Sequence, residues 1–474
     1  MASGPTRTPR AGAGSKVDAK THCGGTPTTL ASGDSLSSPA DKTPRQIRRR
    51  HIFRYNSRGF RQCRAARPGS YSRQKTGGDP NLRACLAALL CSLLAWPAWS
   101  AEPIRIGVTG PFTGGSAPMG LSMRDGIRMA ANEINAAGGV LGRPIVLIER
   151  DDEARNERGA QVVQELVEKD KVVAGLGIVN TGVALASQQI YQQARIPVIT
   201  SVATGSFITK QFLPPRYPDN YVFRVSAHDR VQAEMIVEEA VDRRGFTKIA
   251  IFHDATNYGQ LGKLDLVHSL AIRGLGPTLI ERFNLRDVDM TSHLRRARAA
   301  GVQAILTYGI GPELAHIANA MTVLDWRVPL IGSWTLGMSS FIDEAGPNAE
   351  GARMPQTYIA EDTTARRSAF LTRYRETYGS ERIPVPPAAA QGYDSMLVLA
   401  AAIRQAGDTE GEKIREALEA LKERVEGVVM TYDRPFSKTD HEAIDDTSIP
   451  YMGEVRNGRV VFAYERDRLR AAGQ

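Results

Sequence analysis

Cysteine is scarce in this sequence and unevenly placed. The chain of 474 residues has four cysteines, Cys23, Cys63, Cys85 and Cys91, and all of them precede residue 101. The sequence from residue 101 onward therefore excludes disulfides, thiolate metal sites and a cysteine nucleophile. We expect neither a metal nor a cofactor.

Sequence motifs of common enzymes are missing as well. Neither H-E-x-x-H nor G-x-S-x-G occurs. The adjacent pairs His228-Asp229 and His253-Asp254 point their side chains in different directions, so we interpret them as solvated or capping groups. Residues 115–122 have P-loop spacing, but Leu121 stands where a lysine must meet the phosphate charges. These absences argue against an enzyme and against nucleotide binding.

Positive charge is concentrated at one end of the chain. The sequence carries 60 basic and 51 acidic residues, a net charge of +9, but residues 1–100 hold 17 of the basic and only 4 of the acidic ones. The remainder is slightly acidic. The basic pI therefore does not indicate a nucleic-acid surface, and we expect no nucleic-acid partner.

The first 100 residues predict a leader rather than part of the fold. Residues 1–82 are basic, rich in Ser, Gly and Pro, and without apolar periodicity, a composition typical of disorder. Residues 83–100 predict a signal peptide, because an apolar run too short to span a membrane ends in small residues that favour cleavage between Ser100 and Ala101. We therefore expect secretion to the periplasm, and a translation start assigned too far upstream.

Residues 172–204 contain the most informative pattern. They read as strand, turn, helix, strand and turn, with Thr181 at the start of the helix and Thr204 after the second strand. Ligands bind at the carboxyl ends of strands in open α/β sheets, and a helix N-terminus there favours a carboxylate or phosphate. The alternative is that Thr181 only caps the helix and Thr204 only shapes a turn.

The same strand–helix alternation recurs along residues 101–474. It indicates right-handed crossovers and parallel sheets, and it restarts after residue 225. About 370 residues are too many for one ordinary core. We therefore predict an α/β fold of two Rossmann-like lobes with a ligand cleft between them.

Several segments together resemble one known family. They are residues 104–120, the helix end at 133–140, Asp151-Asp152, residues 196–200 and Tyr258-Gly259. This combination is similar to the periplasmic leucine/isoleucine/valine-binding proteins of ABC importers. The resemblance implies a type I fold with a three-strand hinge, a first lobe of residues 101–225 plus 354–430, and a second of 226–353 plus 431–474. It also implies a monomer that captures a small solute and delivers it to an inner-membrane ABC permease.

The resemblance also assigns ligand groups. Thr181 and Thr204 match hydroxyl positions for a ligand carboxylate, and Val202 matches a backbone contact between them. Asn180 opens the same helix as Thr181, and Tyr258 matches an aromatic residue of the second lobe.

Departures from the family pattern predict an unusual ligand. Trp334 stands where the family has an acid for the ligand ammonium, and Met119 and Ala388 replace aromatic pocket positions. Because a buried ammonium without an anion costs several kcal/mol, of the order set by charge burial, we predict a carboxylate without an α-amino group, aromatic or branched. Asp229 could substitute for the missing acid, and Trp334 could be simple packing.

Other functions fit the same sequence. One is an extracytoplasmic sensor module that passes its bound state to a membrane receptor. Another is an authentic amino-acid binder. A secreted α/β enzyme would need a nucleophile–base pair that the motifs do not supply.

Overall fold

The computed structural model describes residues 102–473, which form two main sheets and the helices around them. The predicted leader, signal peptide and cleavage position lie outside the described residues. Within residues 102–473, none of the helices has the length and apolar character needed to cross a membrane.

The first sheet is entirely parallel, with strand order β2-β1-β3-β4-β5. Its short strands are largely buried, as expected where helices cover both faces of a parallel sheet. The strands are β1 (Ile104–Gly110), β2 (Ile145–Asp151), β3 (Ala174–Gly177), β4 (Val198–Thr200) and β5 (Val222–Arg224). The helices between them are α1 (Ala117–Ala136), α2 (Asn156–Glu168) and α3 (Thr181–Ala194).

The second sheet is mixed, with order β14-β13-β10-β9-β8-β6-β7. Its strands are β6 (Ile249–Asp254), β7 (Leu279–Phe283), β8 (Ala304–Tyr308), β9 (Leu330–Gly332), β10 (Arg353–Gln356), β13 (Tyr451–Arg456) and β14 (Arg459–Phe462). The associated helices are α4 (Asp229–Val237), α5 (Asn257–Ile272), α6 (Thr291–Ala299), α7 (Gly311–Val323) and α8 (Ser339–Ala345). Strands β6 to β10 run parallel, whereas β13 and β14 are antiparallel to their neighbours.

The C-terminal third returns to the first sheet before it ends in the second. Helix α10 packs along α1, and a two-stranded ribbon lies beside α10. The remaining elements are α9 (Ala365–Tyr378), α10 (Pro386–Ala406), α11 (Gly411–Glu419), β11 (Val425–Glu426), β12 (Thr431–Tyr432) and α12 (Glu465–Ala472). We call the first sheet with α1–α3 and α9–α11 the first lobe, and the second sheet with α4–α8 the second lobe.

The chain passes between the lobes three times. It crosses between β5 and α4, again after β10, and finally before β13. Strand pairing moves two of the predicted boundaries. The predicted boundary at Met354 divides β10, yet all of Arg353–Gln356 pairs within the second sheet. Glu442 forms a bridge with Arg224 of β5, so residues up to about 442 stay with the first lobe.

The predicted α/β fold with two parallel-sheet lobes is confirmed, with an added antiparallel hairpin. Helix α10 begins with two successive prolines, Pro386 and Pro387. Proline fits the first turn of a helix, where its missing N–H costs no hydrogen bond.

Candidate functional site

The loop after β4, residues 201–206, lies against the end of β3. The amides of Ser201 and Ala203 donate to carbonyl oxygens at and just after that end, at 2.7 and 3.0 Å. The alternate amides, those of Val202 and Thr204, donate no hydrogen bond within residues 102–473. The loop therefore presents two N–H donors at the carboxyl edge of the first sheet, where a parallel α/β sheet binds its ligand.

Thr181 begins α3 beside this loop. Its side chain is buried, and its hydroxyl has no hydrogen-bond partner among the described residues. A Cβ placed on Gly205 would lie 2.3 Å from Thr181 Cγ2, so the loop touches the threonine directly. The structure thus brings together Thr181 and Thr204, with an unpartnered hydroxyl at a helix N-terminus that favours an anion.

The second lobe contributes an aromatic pair. Tyr258 lies in the first turn of α5, and its ring centroid is 5.2 Å from that of Tyr308. The Tyr258 hydroxyl is buried beside the Ser333 and Thr335 hydroxyls, and it forms no hydrogen bond by distance and angle within residues 102–473. Burial, reinforced by the nearby Asp229 carboxyl, raises its pKa well above the usual value, so the phenol is a neutral donor.

Trp334 follows β9 and faces the first lobe. Its backbone is fixed, since its N–H donates to Gln232 Oε1 at 3.1 Å and its carbonyl accepts from Gln356 Nε2 at 2.8 Å. Trp334, Val202 and Thr204 line one narrow cavity of about 10 Å³, which has room for about one water molecule. The buried indole Nε1 has no acceptor within residues 102–473.

Asp229 lies at the first position of α4, where the chain enters the second lobe. Its backbone N–H donates to Thr204 O at 2.8 Å. The carboxyl group is fully buried, and neither oxygen accepts a hydrogen bond by distance and angle in the described chain. Burial raises its pKa to about 7, against the opposing effects of the adjacent Thr204 hydroxyl and the Arg224 charge.

The other predicted residues have mixed positions. Met119 and Ala388 are buried in one apolar cluster with Val202, Tyr258 and Trp334, which continues through both lobes. Asn180 turns its amide nitrogen toward Ser116 Oγ at 3.2 Å, so it fixes the turn before α1 and keeps only its oxygen unpartnered among the described residues.

Sequence reasoning missed the two glutamines that fix Trp334. Gln232 lies in a helix and Gln356 in a strand, and neither belongs to a motif, so only tertiary structure identifies them.

His228 proves to be a helix cap: its Nδ1 accepts from the Val231 amide at 3.4 Å, and burial lowers its pKa to about 4. In the described range, no group of three or more His, Cys, Asp or Glu side chains could hold a metal ion.

Comparison with known proteins identifies the family. A model of the periplasmic binding protein family matches residues 103–458. The chain belongs to this family. Periplasmic binding proteins of this branched-chain amino acid type bind small solutes outside the cytoplasm for ABC transporter permeases, and they are not enzymes. The resemblance stated from the sequence and the prediction of a non-enzymatic protein are therefore confirmed.

Named relatives agree with this membership. The chain is 27% identical over 346 residues to the leucine-, isoleucine-, valine-, threonine- and alanine-binding protein of Pseudomonas aeruginosa, covering 72% of this chain and 89% of that one. A type 1 periplasmic binding protein from Bordetella pertussis matches with a TM-score of 0.68 and 25% identity, over 76% of this chain and 99% of its own. A solute-binding protein from R. palustris in complex with benzoate shares the fold, with a TM-score of 0.65 and 20% identity over 76% and 95%.

Proposed function

We propose that this protein is a secreted periplasmic receptor that captures a small carboxylate between its lobes and delivers it to an inner-membrane ABC permease. The ligand lacks an α-amino group and carries an aromatic or branched apolar part. Thr181, Val202, Thr204 and neighbouring amides hold the carboxylate, while Tyr258, Trp334 and Met119 enclose the apolar part. Cleavage between Ser100 and Ala101 releases the mature chain.

The proposed ligand class rests mainly on Trp334. An indole offers a flat apolar face and one N–H donor, and it cannot compensate an ammonium as a carboxylate can. Three of the proposed ligand groups can donate without a geometric hydrogen bond in the described chain: the Thr181 hydroxyl, the Tyr258 hydroxyl and the indole N–H of Trp334. A donor-rich pocket of this kind suits an acceptor such as a carboxylate.

Asp229 favours a second candidate, an authentic amino-acid binder. Its buried carboxyl lies beside Thr204, where it could compensate a ligand ammonium. We prefer the first candidate because burial raises the pKa of Asp229 to about 7, so much of the carboxyl population is neutral at that pH and needs no cation.

Thermal unfolding with matched ligand pairs tests the proposal. The pairs are leucine with 4-methyl-2-oxopentanoate, valine with 3-methyl-2-oxobutanoate, and phenylalanine with phenylpyruvate, with benzoate alongside. A ligand at 100 times its Kd adds about 2.7 kcal/mol of stability. We expect stabilisation by a deaminated member or benzoate. Preferential stabilisation by the amino acids would establish the second candidate instead.

A further inference from the structure

One hydrogen bond joins the side chains of the two lobes beside the candidate ligand site. Ser206, in the loop after β4, donates from its Oγ to Asp265 Oδ2 on α5 at 2.7 Å. Both residues are less than a tenth exposed. Hydrogen bonds to an ionised partner are roughly twice as strong as neutral ones, so this contact favours the arrangement in which the lobes meet.

Ser206 also caps the helix that enters the second lobe. Its Oγ accepts from the Arg230 amide in the first turn of α4 at 3.1 Å. The Arg230 guanidinium lies 3.9 Å from Asp265 Oδ1 and is exposed, so it compensates the buried carboxylate only partly. One hydroxyl of the first lobe therefore contacts both α4 and α5 of the second.

Helices α3 and α5 of the two lobes also approach each other closely. A Cβ placed on Gly182 of α3 would lie 2.9 Å from the side-chain Oδ1 of Asn257 at the start of α5, and 2.5 Å from Asn156 Oδ1 of its own lobe. The two helices thus meet N-terminus to N-terminus with no room for a side chain at Gly182. The Ser206–Asp265 bond forms further along α5, and Ser206 lies two residues after Thr204 in the sequence.

We propose that Ser206 and Asp265 are positioning residues for capture: their hydrogen bond ties the Thr204 loop to the second lobe and holds the lobes closed. The inference rests on the proposed binding between the lobes. Neither side chain needs to touch the ligand. Their role is to slow its release, because the bond must break before the lobes separate.

Pulsed electron paramagnetic resonance between spin labels measures this closure directly. Labels at Glu157→Cys and Val288→Cys report the distance between the lobes, since both sites are exposed and lie on opposite lobes. The four native cysteines are replaced by serine in the full chain. Distances are recorded without ligand, with 4-methyl-2-oxopentanoate and with L-leucine.

We expect Ser206→Ala and Asp265→Asn each to lower the ratio of short to long distances by about tenfold, the effect of losing one charge-assisted hydrogen bond. The double variant should be no more open than Ser206→Ala, because that variant already lacks this bond and the cap on α4. Ser206→Thr keeps the hydroxyl, so this variant should retain the wild-type proportion of short distances.

Ser269→Ala is the matched control. Its hydroxyl donates to Glu234 Oε2 at 2.7 Å on α4, within the second lobe, so its loss should leave the inter-lobe distance unchanged. Distributions for Ser206→Ala that equal the wild type in all three conditions overturn the inference. If neither 4-methyl-2-oxopentanoate nor L-leucine shortens the distance between the labels in the wild type, the proposed ligand class is wrong. The distances recorded without ligand still test the hydrogen bond, because they compare the wild type with Ser206→Ala.

Discussion

At the scale of single residues, Trp334 and Asp229 impose opposite preferences on a ligand. The indole N–H is a donor without an acceptor among the described residues, whereas the Asp229 carboxyl is fully buried beside Thr204. A ligand carboxylate can accept a hydrogen bond from the indole N–H, whereas the ionised form of Asp229 repels it. Ligand choice should therefore depend on what stands at position 334 and on the protonation of Asp229.

Restoring an acid at position 334 should change the ligand class. In Trp334→Glu we expect the affinity for L-leucine to rise at least about tenfold relative to 4-methyl-2-oxopentanoate, since the new carboxylate can compensate the ammonium. Isothermal titration calorimetry with both compounds measures the ratio. Trp334→Phe is the control, because it keeps an aromatic face without adding charge. An unchanged ratio in Trp334→Glu would place this residue outside the site.

The protonation of Asp229 should make carboxylate binding pH-dependent. Because burial raises its pKa to about 7, the group gains negative charge between pH 6 and pH 8, and this charge repels the bound anion. Affinity for a carboxylate should therefore fall as pH rises through this window, and the profile should be flat in Asp229→Asn. The neighbouring His228 does not contribute to this pH dependence, since its pKa of about 4 keeps the imidazole neutral between pH 6 and pH 8. A steep profile retained in Asp229→Asn would assign the effect to another group.

Residues near strand ends could be predicted from sequence, but their supporting contacts could not. Thr181, Val202 and Thr204 follow two successive strands, and the carboxyl ends of parallel strands meet at one edge. Gln356 reaches Trp334 from a different strand, and Asp265 reaches Ser206 across the gap between the lobes. Such pairs lie 22 and 59 residues apart, and no local pattern links them.

At the scale of elements, the loop of residues 201–206 holds the proposed ligand groups of the first lobe in place. Among the described residues, its Val202 and Thr204 amides have no hydrogen-bond acceptor. The loop contacts Thr181 through Gly205, and the Gly205 carbonyl accepts from Arg224 Nη1 at 2.8 Å. Because the loop is fixed on several sides, a small change within it should displace the threonine beside it.

Gly205→Ala should weaken ligand binding through Thr181. The new methyl group would lie 2.3 Å from Thr181 Cγ2, and the β-branched threonine has few rotamers to escape into. We expect at least a tenfold loss of affinity for the ligand found by thermal unfolding, and a stability loss of about 1–3 kcal/mol from overpacking. Calorimetry and urea unfolding measure the two effects. Gly276→Ala, with no atom within 4 Å of the added carbon, should change neither. Unaltered affinity in Gly205→Ala would remove Thr181 from the site.

Elements with strong periodicity matched their predictions best. Helix α1 (Ala117–Ala136) is an example, because its apolar residues recur on one face and two glycines follow it. The hairpin β13–β14 was not predicted, since its strands are short and carry charged residues such as Glu454 and Arg459. Its place beside β10 depends on a pairing about 100 residues away.

At the scale of the whole molecule, a buried ion pair fixes the last crossing between the lobes. Arg224 of β5 is fully buried and donates from Nε to Glu442 Oε2 at 2.6 Å, with a second bond from Nη2. Glu442 also accepts from Thr209. The pair therefore joins the segment before β13 to the first sheet and to the loop that carries Thr204.

Breaking this pair should destabilise the protein in a pH-dependent way. Burial alone would raise the pKa of Glu442, but Arg224 and Thr209 hold it below its usual value. A lowered folded pKa stabilises above the unfolded pKa, and that stability is lost as pH falls through the folded value. Glu442→Gln should therefore cost about 3–5 kcal/mol at pH 7, with the difference from wild type shrinking below about pH 4.

Urea unfolding at several pH values measures this loss. The matched control is Glu465→Gln, whose exposed partner Arg468 lies three residues away, and this change should leave the stability nearly unaltered because solvent screens the pair. Equal losses for the two variants would show that the Arg224 pair contributes no more than a surface contact.

The position of Trp334 has an optical consequence. Residues 101–474 contain two tryptophans, Trp326 and Trp334, and Trp334 lines a cavity with Val202 and Thr204. In a chain of residues 101–474 with Trp326→Phe, emission excited at the indole band would come from Trp334 alone, beside the proposed carboxylate site. Quenching or a spectral shift of that emission would then give binding curves and stopped-flow traces without any attached dye.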